Sequence, residues 1–205
     1  NTECFSRCRQ IMGAEEFLAF AMKKIVPIQG DLIQDGCGLS DIDRELILNN
    51  VQIIINSAAS VSFDDSLHDS INMNYFGSMR MFDIGKSIKN LVAYCHVSTA
   101  YVNCNMPYDS MIEEEIYNKD QDVERLVSKY INMSPLEIKE KQAEILDGYP
   151  NTYTFTKAMT ERSILKKRGD MPCCILRPAM VGCSMKEPFP GWVDTIAAMG
   201  APMFF

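Results

Sequence analysis

Val51-Gln52-Ile53-Ile54-Ile55-Asn56-Ser57-Ala58-Ala59 decides the fold. Its first five residues are apolar and β-branched except Gln52. A continuous run of that kind reads as a strand buried on both faces, the pattern of parallel sheets. Upstream, Ser40 can cap a helix carrying Asp41 and Asp43 in its first turn, where the dipole favours acids, and running to Asn49-Asn50. Before that, Ile11, Met12, Phe17, Leu18 and Met22 give helical spacing over residues 9–23. Lys24 to Ile28 reads as a short strand stopped by Gly30-Asp31.

Downstream, a long helix is expected from about Ser66 to Lys89, then a strand from Leu91 to Val97. Residues 103–121 are polar and irregular. Acidic, helix-prone pieces follow at about 122–130 and 135–147, then a helix over about 151–168. Cys173 to Leu176 is the last clear strand, closed by Arg177-Pro178. Strands alternating with helices of these lengths imply parallel βαβ units. Ligands of an open parallel sheet bind beyond the carboxyl ends of its strands. Gly30-Asp31-Leu32, Asn56 to Ala59, Ser98-Thr99 and Arg177-Pro178-Ala179 all fall at such ends. They would line one crevice.

The chemistry sits in Asn151-Thr152-Tyr153-Thr154-Phe155-Thr156-Lys157, read with His96-Val97-Ser98-Thr99-Ala100-Tyr101-Val102. Tyr153 and Lys157 are four apart, so one helix face carries both. A carbonyl accepting hydride develops charge on oxygen and needs a proton donor and a second polarising donor. Tyr153 can supply the proton, Lys157 can bring the phenol's pKa toward working pH, and Thr99 or Ser98 can donate the second hydrogen bond. With eight tyrosines in the chain and lysine at roughly one residue in seventeen, chance gives such a pair about two times in five. The pair gains specificity from the α/β pattern and from the hydroxyls at an upstream strand end.

Other residues have a bland reading beside the functional one. Asp31 could accept a bond from an adenine amino group or merely form a turn. Ala58-Ala59 could admit a cofactor close to the backbone or simply pack. Asn74, mid-helix where Asn is poorly suited, bonds backbone at the site or faces water. His96 stands on a strand, and His68 reads as a surface helix residue. Glu113-Glu114-Glu115 has no metal-ligand spacing and reads as a solvated face, so no metal is expected.

At 205 residues the chain is long enough for one domain, taken as 1–205. A net charge of −7, with no basic run longer than Lys166-Lys167-Arg168, argues against nucleic acid. That triplet suits a helix C-terminus. The eight cysteines contain no C-x-x-C pair and are read as reduced. No apolar run is long enough to span a bilayer, and no signal peptide opens the chain. It starts on Asn and ends on Ala201-Pro202-Met203-Phe204-Phe205, and is read as part of something longer.

Together these segments resemble the extended short-chain dehydrogenase/reductase superfamily, and more closely the alcohol-forming fatty acyl-CoA reductases of the male-sterility type. The resemblance is carried by Lys24 to Leu32, Ile53 to Asp64, Asn74-Tyr75-Phe76-Gly77 and His96 to Asn103. It continues through Tyr149 to Ala158, Arg177 to Gly182, and Lys186 to Trp192. It implies a Rossmann-like, doubly wound parallel sheet. It also implies NADPH-dependent reduction of a long-chain acyl-CoA to an aldehyde and then a fatty alcohol. Tyr153 and Lys157 match the family's catalytic pair, with Thr99 as hydroxyl donor and Ser98 beside it. Asp31, Leu32, Ala58 and Ala59 match positions at the adenine end of the cofactor. Pro178, Ala179 and Val181 match a segment near the nicotinamide, and Asn74 and Lys157 join them on the cofactor side.

One departure is large: no glycine-rich T-G-x-x-G-x-x-G turn, which cradles pyrophosphate at a helix N-terminus, occurs in the chain. The expected sheet therefore lacks the first strand and that loop, and the polypeptide alone is expected to bind NADPH poorly. Asn56-Ser57 stands where the family commonly has His-Cys. The resemblance further implies a peroxisomal or endoplasmic reticulum membrane location, through parts outside this chain. The alternatives are another extended reductase or epimerase acting on sugar or polyketide substrates, and a non-catalytic truncated product.

Overall fold

A computed structural model describes residues 3–193. The chain divides into two compact units, one of residues 29–178 and one of the described parts of 1–28 and 179–205.

In the smaller unit, α1 (Ser6–Met12) and α2 (Ala14–Lys24) stand where one helix over 9–23 was expected. Gly13 separates them at φ 84°, a left-handed value that glycine adopts without steric cost. Neither helix buries a residue. Arg7 Nη1 meets Glu187 Oε1 at 2.6 Å, tying the two stretches of this unit together. The strand expected over Lys24 to Ile28 does not form. Lys24 closes α2, Ile25 N–H still bonds Ala21 carbonyl, and Ile25 and Val26 are exposed. β-branched residues make a strand only where a ladder partner exists, and none pairs here among the described residues.

In the larger unit, α3 (Asp41–Asn50) is capped as expected, with Ser40 Oγ accepting from Asp43 N–H at 3.1 Å. Three strands follow: β1 (Ile53–Asn56), β2 (Ala93–Val97) and β3 (Cys173–Leu176). They form one parallel sheet in the order β1-β2-β3, with Ile54 opposite Tyr94 and Tyr94 opposite Cys173. Between β1 and β2, α4 (Leu67–Ser70) passes through a π-helical stretch, Ile71–Phe76, into α5 (Gly77–Ser87). Between β2 and β3 lie α6 (Val123–Ile131), α7 (Pro135–Leu146) and α8 (Thr152–Lys167). Mixed α/β composition with a parallel sheet is what the alternating pattern dictates.

The core fills one face of this sheet. Ile54 and Tyr94 meet Ile71, Tyr75, Phe82, Phe155, Met159 and Ile164 from the helices. At Gly85 a Cβ would stand 2.9 Å from the Tyr94 ring, so only glycine lets α5 sit this close to β2. The alternate residues of β1 face outward, Ile53 60 % and Ile55 69 % exposed, where burial on both faces was expected. The strand's continuous apolarity could not show that, among the described residues, its outward face is left open to solvent. No described helix is long and apolar enough to cross a membrane. Cys8, Cys37, Cys95, Cys104, Cys173, Cys174 and Cys183 form no disulfide.

Nearly every residue of α8 from Thr152 to Ile164 is buried, although its composition is polar. Its hydroxyls bond its own backbone: Thr156 Oγ1 to Thr152 carbonyl at 2.7 Å and Thr160 Oγ1 to Thr156 carbonyl at 2.8 Å. Arg162 donates to Tyr117 carbonyl, Gln121 Oε1 and Tyr149 Oη. Polar groups so satisfied can be buried at little net cost. The basic end of α8 behaves as expected, with Lys167 Nζ 2.5 Å from Glu124.

Candidate active site

The end of β2 and the first turns of α8 converge. Lys157 is 2 % exposed, and its Nζ donates to Val97 carbonyl at 2.9 Å. Tyr153, one turn earlier, is half-buried, and the Thr99 side chain is near enough to its phenol to act on its titration. Thr99 is buried and opens the short turn Ala100–Asn103, accepting from Tyr101 N–H. A packed tyrosine over a solvated lysine would be the bland outcome for this helix. The opposite holds: the lysine is inside and the phenol reaches the surface.

Burial sets the electrostatics. It pushes the Tyr153 phenol above its usual range, against the Thr99 side chain, which acts the other way. Tyr153 thus rests as a protonated phenol at neutral pH, able to give a proton. The expectation that Lys157 draws the Tyr153 pKa downward is not met, because desolvation is the larger effect. Burial also lowers Lys157 to about 8, opposed by the Glu161 carboxylate one turn on.

Ser98 is buried, and its Oγ has no hydrogen-bond partner among the described residues. His96 lies fully inside the core face, with neither ring nitrogen bonded. Burial, with Lys157 nearby, depresses it to about 3, so it is a neutral imidazole. His68 is less exposed than a surface residue, and its Nε2 lies 3.2 Å from Tyr130 carbonyl.

Asn74 resolves in favour of the backbone-bonding reading. It sits in the π-helical stretch, a feature frequent at functional sites. Its Oδ1 accepts from Ser60 N–H at 2.9 Å and its Nδ2 donates to Ser60 carbonyl at 3.2 Å. The same Nδ2 reaches Thr156 Oγ1 at 3.4 Å, and Thr160 Oγ1 donates to Asn74 carbonyl at 3.3 Å. One amide therefore fixes the loop that follows β1 against α8. Asn74→Ala is expected to cost about 1–3 kcal/mol, because it strands two partly buried backbone groups of Ser60. Thermal melting checks the stability, and weakened binding of a nicotinamide dinucleotide in a titration checks the loop.

On the cofactor side, Ala58 is exposed and Ala59 half-buried, so small side chains edge the backbone beyond β1. Asp31 is partly engaged: its carboxylate accepts from Ile33 N–H at 3.0 Å and Gln34 Nε2 at 3.1 Å. Leu32 carbonyl takes Arg80 Nη1 at 2.9 Å, anchoring this loop to α5. Pro178 carbonyl accepts from Ala100 N–H at 2.8 Å, which sets it beside the Thr99 turn. Ala179 and Val181 belong to the smaller unit, where both are exposed. Ala58 and Ala59 precede Ser60, which Asn74 ties to the helix of Tyr153 and Lys157; small residues there fit the close approach of a nicotinamide dinucleotide.

Three residues escaped the sequence reading. Phe63 lies against Tyr153, ring centroids 5.8 Å apart. Glu161 is buried and takes both guanidinium arms of Arg177, at 2.9 and 2.5 Å. Arg162 staples residues 117–121 to Tyr149. The Lys157-x-x-x-Glu161 spacing was the available signal for Glu161. No local signal marked Phe63.

The chain is similar to proteins of known name. Fatty acyl-CoA reductase wat of Drosophila melanogaster is 36 % identical over 173 residues, covering 84 % of this chain and 33 % of that protein. Fatty acyl-CoA reductase 1 of Homo sapiens is 34 % identical over 172 residues, covering 84 % and 33 %. The chain thus spans about a third of the length of the curated relatives it matches. Among solved structures, the terminal R domain from the myxalamid PKS-NRPS biosynthetic pathway superposes with a TM-score of 0.57 at 18 % identity. It covers 82 % of this chain and 36 % of that one, a likeness of fold. The model of the male sterility protein family, an NAD-binding type, matches residues 2–205, and the chain belongs to that family.

Proposed function

We propose that this chain carries the proton-delivering half of an NADPH-dependent reductase that converts a long-chain acyl-CoA thioester to an aldehyde and then to a primary alcohol. The observation that carries the reading is the buried Lys157, anchored on Val97 carbonyl at 2.9 Å, one turn from the half-buried Tyr153. NADPH, when bound, supplies the hydride. Tyr153 holds the proton that the carbonyl oxygen takes as it gains negative charge, and Thr99 gives that oxygen a second hydrogen bond. Lys157, anchored on Val97 carbonyl, places a positive charge behind the phenol. Asn74 holds the loop of Ala58 and Ala59 in register with α8.

An apolar substrate is favoured by what surrounds Tyr153. Phe63, 63 % exposed, and Val61, 68 % exposed, stand on the Asn74-pinned loop, Phe63 against the Tyr153 ring. Exposed apolar side chains against a reactive phenol suit a substrate that brings its own hydrocarbon. Phe63→Ser is expected to raise KM for a long-chain aldehyde about tenfold, equivalent to roughly 1.5 kcal/mol of lost apolar contact. A short-chain aldehyde should be nearly unaffected. Steady-state kinetics on the two aldehydes check this.

The reading itself is tested by NADPH oxidation dependent on palmitoyl-CoA, with hexadecanal and hexadecanol measured by gas chromatography. Acyl-CoA-dependent oxidation with either product supports it. Turnover of a nucleotide sugar without acyl-CoA turnover overturns it.

A further inference from the structure

Lys157 is a cation in an unusual position. It is buried, its Nζ donates to Val97 carbonyl at 2.9 Å, and among the described residues no carboxylate lies in ion-pair contact with it. Isolated buried ammonium groups tend to lose their proton. The charged groups packed around it are few. On its own helix are Tyr153, a neutral phenol, and Glu161. β2 brings His96, neutral, with the uncharged hydroxyls of Ser98 and Thr99. The π-helical stretch brings Asn74, an amide, and Tyr75, bonded to Ser163. His68 of α4 faces Tyr130 carbonyl, and Glu124 of α6 is bound to Lys167. From the end of β3 comes Arg177, which reaches Glu161.

Glu161 is therefore the negative charge in this environment, and it is not free. Arg177 Nε and Nη2 hold its two oxygens at 2.9 and 2.5 Å, and the same Nη2 bonds Glu115 carbonyl at 2.9 Å. The pair is buried, the Glu161 side chain being 2 % exposed and that of Arg177 16 %. Lys157 and Glu161 stand one turn apart on α8, and Arg177, just past β3, holds Glu161.

We propose that Glu161 is a positioning residue that keeps Lys157 in its charged form, and that Arg177 sets the strength of this effect by neutralising part of the carboxylate's field. This rests on the reaction role given to Lys157, but its electrostatic content is independent of turnover. The two partners of the pair should act on Lys157 with opposite sign. Removing the carboxylate leaves Lys157 facing an unbalanced guanidinium, whereas removing the guanidinium exposes it to a full negative charge.

The experiment titrates Lys157 itself in the full chain. Protein made with carbon-13-labelled lysine is followed by NMR against pH, the Lys157 signal being assigned by its loss in Lys157→Arg. Glu161→Gln is expected to lower the Lys157 midpoint by about one pH unit, and Arg177→Gln to raise it by a similar amount. The high-pH limb of the rate profile, where turnover is measurable, should move the same way in each variant. A pair that only braces the fold would shift both variants alike or neither, and either result overturns the proposal. If Glu161→Gln does not fold by circular dichroism, Arg177→Gln decides alone: a raised midpoint supports the proposal, and an unchanged or lowered one overturns it. If neither folds, the pair is a structural requirement and the proposal fails. Opposite shifts in a protein that reduces no acyl-CoA would retain the electrostatic coupling and discard the reaction.

Discussion

Tyr153→Phe is expected to cut turnover about a thousandfold while leaving the fold intact. The ring stays, so its packing against Phe63 is kept, and only the hydroxyl near Thr99 is lost. Tyr153 is half-buried, so water can reach the vacated position. The stability change should stay within about 1 kcal/mol. Affinity for the nicotinamide cofactor should be unchanged, because the phenol acts on the carbonyl oxygen. The measurement is kcat for aldehyde reduction beside a thermal melt and an NADPH titration. Wild-type turnover in the variant would remove Tyr153 from the chemistry. Loss of the melt would mean the hydroxyl is structural.

Phe82→Ala carries the largest expected stability loss, about 3–5 kcal/mol. Phe82 is fully buried, and its ring meets Tyr94 edge-on, centroids 5.5 Å apart and planes at 87°. Truncation loses the transfer energy of the ring and leaves a cavity against β2 that a close-packed interior fills only in part. Gly85 on the same helix already brings backbone to within van der Waals reach of Tyr94, so α5 has little room to collapse inward. Urea denaturation checks the magnitude. A loss below about 1 kcal/mol would place Phe82 outside the cooperative core.

Much of the larger unit was legible because its signals are local and periodic. The strand expected from Leu91 to Val97 is Ala93–Val97, and the helix expected over 151–168 is Thr152–Lys167. Ser40 and Ser66 cap the helices they precede, since a cap is a matter of a few adjacent residues. Lys24 to Ile28 misled because a strand needs a partner, and pairing is not written in the strand itself. The π-helical stretch was equally hidden, since nothing in Ile71–Phe76 distinguishes it from α-helix by spacing.

The candidate site was legible to the same degree. Tyr153 and Lys157 follow from helical spacing, and Thr99 from its place at a strand end. The depth of Lys157 did not follow, because the polar composition of α8 reads as a solvated helix. Its burial depends on partners far along the chain: Asn74, Tyr117 and Arg177. The direction of the Tyr153 shift was missed for the same reason, since desolvation is a property of the packed whole.

The Asn74 contacts bear on positional tolerance. Hydride transfer demands that donor and acceptor be placed to a fraction of an ångström. Here the segment after β1 and the helix bearing Tyr153 come from opposite ends of the larger unit, and both are measured from one side chain. Errors in the two placements are then shared, and shared errors cancel in the distance between them. A sheet that breathes can carry both parts with it and still present the same gap to a substrate.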